Sequence, residues 1–483
     1  MADEPRSSRE EIPYRVDDVV SVASVRARFP DLAPDARTGE RVRLAGRLMR
    51  LRRQGRLIFA DLVDSSGRLQ LLVTVDRTAD FEGFAKHRVL GDWVSVVGEV
   101  VTSRKGELSV AVEDWQLLAR ARRGFGDKWR GVTDPDLRYR QRYVDLWANP
   151  AVRHRFLARS RVVAAIRAEL ADRGFVEVET PLLQPTASGA NARPFVTHHH
   201  ALDMDLYLRI APELYLKRLV IGGFERVFEL GRDFRNEGIS PRHNPEFTML
   251  EAYQAYTDLE GMMELMEQLV ARAAEAAVGS TRVEVAGAVV DLTPPFRRAT
   301  MEELVGERVG MKVALEEPAQ LRELVRAHGL DVQPDTPGRL LLALYEELVE
   351  PFLVDPIFVT EFPKEVSPLA RDHRDPARAG RVEQFDLVIV GRELGTAYSE
   401  LNDPDEQRRR FLAQLQARRR GDEEAMPLDE EFLRALEYGM PPTGGLGLGI
   451  DRLVMLLTDA PHIKEVILFP TLRPEQAPQA SDG

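Results

Sequence analysis

The stretch that most constrains this chain's fold runs from Phe224 to Tyr253. Phe224–Glu237 and Glu246–Tyr253 both mix aromatic and aliphatic with charged residues, and Gly238 to Pro245 between them supplies Gly, Ser, two Pro and Asn. That pattern predicts two strands joined by a polar turn. Side chains alternate across a strand. Arg235 and Glu237 therefore share one face of the first strand, and Phe247, Met249, Glu251 and Tyr253 share one face of the second. If the faces coincide, one surface carries a guanidinium, an aromatic plate and several carboxylates. The plain alternative is an amphipathic hairpin with a solvated charged face.

The segment FRNEGISPRHNPEFTMLEAY, Phe234 to Tyr253, resembles motif 2 of the class II aminoacyl-tRNA synthetases in the form that lysyl-tRNA synthetases carry. GFVEVETPLLQ resembles motif 1, which in that family builds a dimer interface and so implies a homodimer. GGLGLGIDRLVMLLTD resembles motif 3, a glycine-rich strand passing into a helix near Asp451. The resemblance runs from about Arg41 to Pro474. It implies an α+β chain: an N-terminal OB-fold β-barrel and a class II catalytic domain, an antiparallel sheet flanked by helices. The expected division is a polar arm over 1–40, an anticodon-binding barrel over 41–118, a linker over 119–150, the catalytic domain over 151–474 and a disordered tail over 475–483.

The residues themselves support a barrel. Between Arg41 and Leu118 five short β-rich runs alternate with turns such as Ser65-Ser66-Gly67 and Lys105-Gly106, the pattern of a small closed barrel. From Arg41 to Arg130 there are 18 Lys plus Arg against 11 Asp plus Glu, a balance of +7 in a chain of net charge −12. A basic module on an acidic body suits a protein that holds RNA at one place. By resemblance, Phe59 would stack on an anticodon base, Gln70 would read a base edge and Arg52 would be a basic contact. From its residue type alone Phe59 is as readily core as platform. The Arg- and Gly-rich linker reads equally as an RNA-backbone contact or as a solvated connector.

There is no cysteine, which excludes disulfides and thiol chemistry and fits a cytoplasmic location. No uncharged apolar run of about 18 residues is present, so no membrane span is expected. His198, His199 and His200 are adjacent, and neighbours on a strand point to opposite faces, so they read as polar wall rather than as joint metal ligands.

The chemistry implied is adenylate formation, which needs positioning and electrostatics more than a nucleophile. By resemblance Arg235 and Arg452 are the catalytic pair, Arg235 bridging the α-phosphate and the amino-acid carboxylate and Arg452 holding the γ-phosphate. Independently, Arg452 falls in a helix's first turn, where the dipole disfavours a cation and an anion is the natural partner. Glu237, Phe247, Arg242, His243, Asn244 and Glu393 would complete the ATP site, with Mg2+ held by Asp386 and Glu393. Gly189, Glu213, Arg235, Glu251, Tyr253, Thr396, Tyr398 and Glu400 would hold L-lysine. Carboxylates facing a side chain demand a cation, which disfavours an aspartate or asparagine substrate. The implied partners are ATP, L-lysine and tRNA(Lys).

Two positions depart from the family pattern: Thr396 replaces the usual Asn and Asp386 the usual Glu. They leave open weaker lysine binding, a divergent substrate, or a paralogue used beside a housekeeping enzyme. A transferase that passes a lysyl group to another acceptor and an RNA-binding protein without catalysis are the rival readings. The barrel argues against the first, and intact Arg235, Glu237, Phe247, Glu393 and Arg452 argue against the second.

Overall fold

A computed structural model describes residues 11–123, 132–190, 192–419 and 426–474. It divides into two compact units, Met1–Asp134 and Pro135–Gly483. Residues 124–131 of the expected linker and the tail over 475–483 lie outside the described residues.

In the first unit, α1 (Val22–Arg28) starts at Ser21, whose hydroxyl accepts from the Ser24 amide and so satisfies one orphan donor of the helix end. Then follow β1 (Arg37–Gln54), β2 (Leu57–Val63), β3 (Arg68–Thr74), α2 (Phe81–His87), β4 (Trp93–Thr102) and β5 (Leu108–Ala119). The five strands close into a barrel in the order β1-β2-β3-β5-β4, as the turn spacing predicts. Alternation along β2 sends Ile58, Ala60 and Leu62 into the barrel core and leaves Phe59 half-buried on the outside.

The second unit begins with α3 (Pro135–Arg140) and α4 (Arg142–Ala148). Here the structure corrects the linker reading. Arg142 is fully buried, donating to Asp145 and to the Lys464 and Leu468 carbonyls, so this segment is part of the body. Next comes α5 (Pro150–Asp172), with Pro150 at its first position. The motif 1 stretch yields two short strands of two residues each, β6 (Val176–Glu177) and the one over Leu183–Gln184. β7 (Leu183–Gln184), β8 (Val196–His199) and β9 (Met204–Leu208) form a small separate sheet, followed by α6 (Glu213–Ile221).

The main sheet is built from β10 (Arg226–Phe234) and β11 (Glu246–Ala255). After them come α7 (Leu259–Val278), the hairpin β12 (Arg282–Val285) and β13 (Ala288–Asp291), and β14 (Arg297–Thr300). Three helices follow: α8 (Met301–Val309), α9 (Pro318–Ala327) and α10 (Pro337–Leu348). The chain then returns through β15 (Ile357–Thr360), β16 (Gln384–Val388) and β17 (Glu393–Ser399). It ends with α11 (Pro404–Arg419), α12 (Glu430–Leu436), β18 (Thr443–Gly449) and α13 (Ile450–Leu457). Eight strands lie in the order β14-β15-β16-β17-β18-β11-β10-β6, antiparallel except for the two edge pairs β14/β15 and β10/β6.

Helix α7 covers one face of this sheet. Its Asp258 cap accepts from the Gly261 amide, and Gly279 ends it in the left-handed region. Met262, Met266, Leu269, Val270 and Ala273 of α7 are buried in one core with Leu250, Leu446 and Leu448 of the central strands. The opposite face is left for the site.

The first strand of the hairpin is shorter than its composition suggests. β10 stops at Phe234, because the Asn236 amide is taken by the Arg193 carbonyl and leaves the ladder. Arg235 and Glu237 thus stand beyond the strand. Beneath them Arg209, 1% exposed, donates to Asp233 and Glu229 and to the Thr180 hydroxyl. A Cβ on Gly231 would lie 2.3 Å from that guanidinium, so β10 needs glycine there. Breaking a buried ion network by removing one partner costs roughly 3–5 kcal/mol. Arg209→Met is therefore expected to lower the urea midpoint of the second unit, read by tryptophan fluorescence or circular dichroism.

No described helix is long and apolar enough to cross a membrane.

Candidate active site

Strand register sets the site out in rows. Glu251 on β11 pairs with Gly447 on β18, Gly447 with Thr396 on β17, and Thr396 with Asp386 on β16. One row along, Tyr253 pairs with Gly445 and Gly445 with Tyr398. Directly paired residues share a face, so both rows belong to one surface. Its centre is backbone. A Cβ at Gly445 would fall 2.1 Å from Glu400 Oε1 and 2.5 Å from the Tyr253 ring, and one at Gly447 would lie 3.3 Å from Met249 Cε.

A cleft opens over the Gly447 end of this floor, with Gly395 and Gly449 beside it. Arg235, Glu237, Arg242, His243, Asn244 and Phe247 line one side of it, and Glu393, Thr396 and Arg452 the other. All eight residues expected at ATP are thus on its walls. The Arg235 guanidinium lies 5.1 Å from the centre of the Phe247 ring, a cation–π contact, and its buried Nε has no partner. Arg452, in the first turn of α13, donates to the Glu393 carbonyl at 2.8 Å and lies 3.2 Å from His243 Nε2. Burial, then Arg452 and Arg235, hold the His243 imidazole below its usual range, which favours the neutral ring. Its Nδ1 is 2.8 Å from the Ser240 hydroxyl. Asn244 is buried and donates to the Glu246 carbonyl, closing the turn, while its Oδ1 stays unpaired.

Arg452 is held from behind. Asp451 accepts from the Thr248 amide at 2.6 Å and from Arg159 of α5 at 2.6 Å, and Arg159 also donates to the Thr248 hydroxyl. One carboxylate thereby ties α13 to β11 and α5.

Beyond the cleft lies a buried acidic chamber. Glu251 accepts from the Tyr253 hydroxyl at 3.0 Å. Gly189, at φ +98°, sits where a Cβ would be 3.5 Å from Glu213 Cβ. Burial and the nearby Glu213 charge push Glu251 well above the usual carboxylate range, and burial does the same to the Tyr253 and Tyr398 phenols. Burial raises Glu400 to about 8 even against the opposing pull of Lys217. Lys217 was not among the expected residues. Its ammonium, fully buried, lies 2.6 Å from Glu213 Oε1 and 2.5 Å from Glu400 Oε2.

The two departures from the family pattern are one feature: Asp386 and Thr396 are cross-strand partners. The Thr396 hydroxyl donates to the Phe385 carbonyl at 3.2 Å, and Asp386 accepts from Gln384 Nε2 at 3.2 Å. Burial and Glu393 push Asp386 up to about 8. Two carboxylates crowded to that degree suit a divalent cation that brings most of its oxygen ligands with it. No cluster of three or more His, Cys, Asp or Glu arranged to hold a metal occurs among the described residues. His198 and His199 are exposed on β8, where His198 lies 2.9 Å from Asp205.

A family model described as "tRNA synthetases class II (D, K and N)" matches residues 134–473, and one described as "OB-fold nucleic acid binding domain" matches 42–118. The chain is 51% identical over 465 residues to the lysine–tRNA ligase of Synechococcus sp. (strain CC9902), covering 95% of this chain and 92% of that one. It is also 51% identical to the lysine–tRNA ligase of Moorella thermoacetica (strain ATCC 39073 / JCM 9320), covering 94% and 92%. The chain belongs to the class II tRNA synthetases, in the lysine–tRNA ligase family.

Within this class II synthetase the barrel settles an ambiguity of the sequence. Arg52 pairs with Phe59 across β1/β2, and Asp61, two residues on, pairs with Gln70 across β2/β3. Arg52, Phe59 and Gln70 therefore share the outer face, with Arg52 exposed and the other two half-buried. Phe59 is not core. Gln70 Oε1 lies 3.0 Å from the Ser109 hydroxyl.

Proposed function

We propose that this synthetase ligates L-lysine to tRNA(Lys) in two steps through a lysyl-adenylate, for protein synthesis. The observation that carries the reading is a glycine-floored cleft rimmed by arginines that opens beside a buried chamber of carboxylates. Lysine would enter with its side-chain ammonium among Glu251, Tyr253 and Glu400. Its α-ammonium would meet Gly189 and Glu213, and Thr396 and Tyr398 would border the carboxylate and the stem. Arg235, with a free Nε and a planar fork, would bridge the carboxylate to the α-phosphate. The adenine would stack between Phe247 and Arg452, with Glu237 accepting from its amino group. Arg242, His243 and Asn244 would lie along the phosphates. Mg2+, when bound with ATP, would neutralise phosphate charge between Asp386 and Glu393.

A homodimer is part of this proposal. Val176, Leu182 and Leu183 of the motif 1 stretch, and Val196 on the small sheet, are all exposed apolar side chains. Light scattering on the purified chain tests it. The cytoplasm is the proposed location.

The deciding experiment is ATP–pyrophosphate exchange with each of the twenty amino acids, followed by charging of total tRNA. Exchange with lysine alone, plus charging, is the expected result. Lysine exchange without charging would move the product to another acceptor, and no exchange would refute the ligase reading.

The barrel face gives a separable prediction. Base–aromatic stacking contributes roughly 1–3 kcal/mol, so Phe59→Ala should lower kcat/KM for tRNA charging about 5- to 150-fold. Lysine-dependent pyrophosphate exchange should be unchanged. Equal loss of both would remove Phe59 from RNA recognition.

A further inference from the structure

Lys217 and Glu213 stand one turn apart on α6, and Glu400 reaches the same ammonium from the end of β17. Behind the ammonium lies the Phe432 ring of α12, its centre 6.0 Å away. Leu214, Leu216 and Val220 of α6 are packed in one core with Phe432 and Leu433 of α12. The ammonium cannot swing to solvent without parting the two helices. It is a fixture of the back wall, not a placeholder that a ligand displaces.

The charges facing it can be counted. Glu213 of α6 and Glu400, just past β17, lie against the ammonium, with the Phe432 ring on the side of α12. Glu251 of β11 stands close to Glu213, and Tyr253 of β11 and Tyr398 of β17 stand close to both carboxylates. The tyrosines stay neutral. From β10, Asp233 also acts on Glu251; Asp233 and Glu229 share Arg209 in the adjoining network. The chamber thus holds three carboxylates and one resident ammonium.

We propose that Lys217 is a built-in counter-cation that sets the charge this chamber asks of its substrate. Three carboxylates against one fixed ammonium leave a deficit of two, which a free amino acid with an ammonium at each end supplies. This rests on the reading of the chamber as the lysine pocket. Lys217 is a positioning and specificity residue and touches no reacting atom. An amino acid with an apolar or amide side chain fills the deficit by one only, so one buried carboxyl keeps its proton and no second ion pair forms. When the chamber is empty the deficit is met by protons, in line with the raised positions of Glu251 and Glu400. Lysine entry then displaces protons. Its affinity therefore rises with pH for as long as those protons are held, Glu400 losing its own through about 8.

The test is calorimetric titration of the full chain with L-lysine at pH 7 in phosphate and in Tris, whose ionisation enthalpies differ. Net proton release on lysine binding is the expected result, falling as pH is raised through the range in which Glu400 ionises, about 8. No proton release would overturn the proposal, and it needs no variant to fold. Lys217→Met deepens the deficit to three. It should raise the KM for lysine in pyrophosphate exchange at least tenfold and release more protons, with the KM for ATP unchanged. Lys217→Arg should recover most of the lysine KM. Equal rises in both KM values would mark Lys217 as merely structural and overturn the proposal. No heat with lysine but heat with another amino acid would instead overturn the lysine reading itself.

Discussion

Replacing Glu400 by Gln should raise the KM for lysine about 30- to 150-fold and leave the KM for ATP within about twofold. The size follows from the loss of a charge-assisted hydrogen bond at a fully desolvated position, roughly 2–3 kcal/mol. Selectivity for lysine follows from geometry. Glu400 is 1% exposed and borders Tyr253, Gly445 and Lys217, whereas the ATP-facing residues line the open cleft. Pyrophosphate exchange at varied lysine and varied ATP separates the two. A parallel loss of both affinities would mean that Glu400 holds the sheet together, not the substrate.

Replacing Arg235 by Ala should reduce the rate constant for adenylate formation about 100- to 1000-fold, the loss seen when one preorganised donor is removed from a developing anion. Arg235 is held in advance. It stacks on Phe247, follows the last residue of β10 and has its backbone amide bonded to the Pro245 carbonyl. Arg235→Lys should recover little, since a compact ammonium cannot span the carboxylate and the phosphate as a planar fork does. Single-turnover burst kinetics measure this directly. A variant that keeps its burst rate and loses only ATP affinity would reassign Arg235 to simple binding.

Much of this arrangement is legible in the sequence, and what is not has identifiable physical causes. The alternation in Thr396-Ala397-Tyr398-Ser399-Glu400 is local and reads directly, as does the passage from a glycine strand to a helix at Ile450. Strand ends are set by distant partners: nothing near Phe234 tells that the Arg193 carbonyl takes the Asn236 amide. Arg142 looks like one more basic residue in an Arg-rich connector, yet it is buried against carbonyls more than 300 positions away. Lys217 was legible in part. A Glu and a Lys four apart on a helix usually form a solvated pair. Only the return of Glu400 to the same point turns that pair into a buried triad.

The glycines of β18 carry a consequence for anything designed to block this protein. Most binding sites can shed an inhibitor by exchanging a wall residue that the natural ligand does not need. Here the central strand offers no side chain to exchange at Gly445 or Gly447. Even a methyl group at Gly445 would strike Glu400 and Tyr253 before it reached any visitor. A compound that draws its affinity from lying flat on those peptide units would press on ground the protein cannot alter without closing its own pocket. Resistance would have to arise elsewhere.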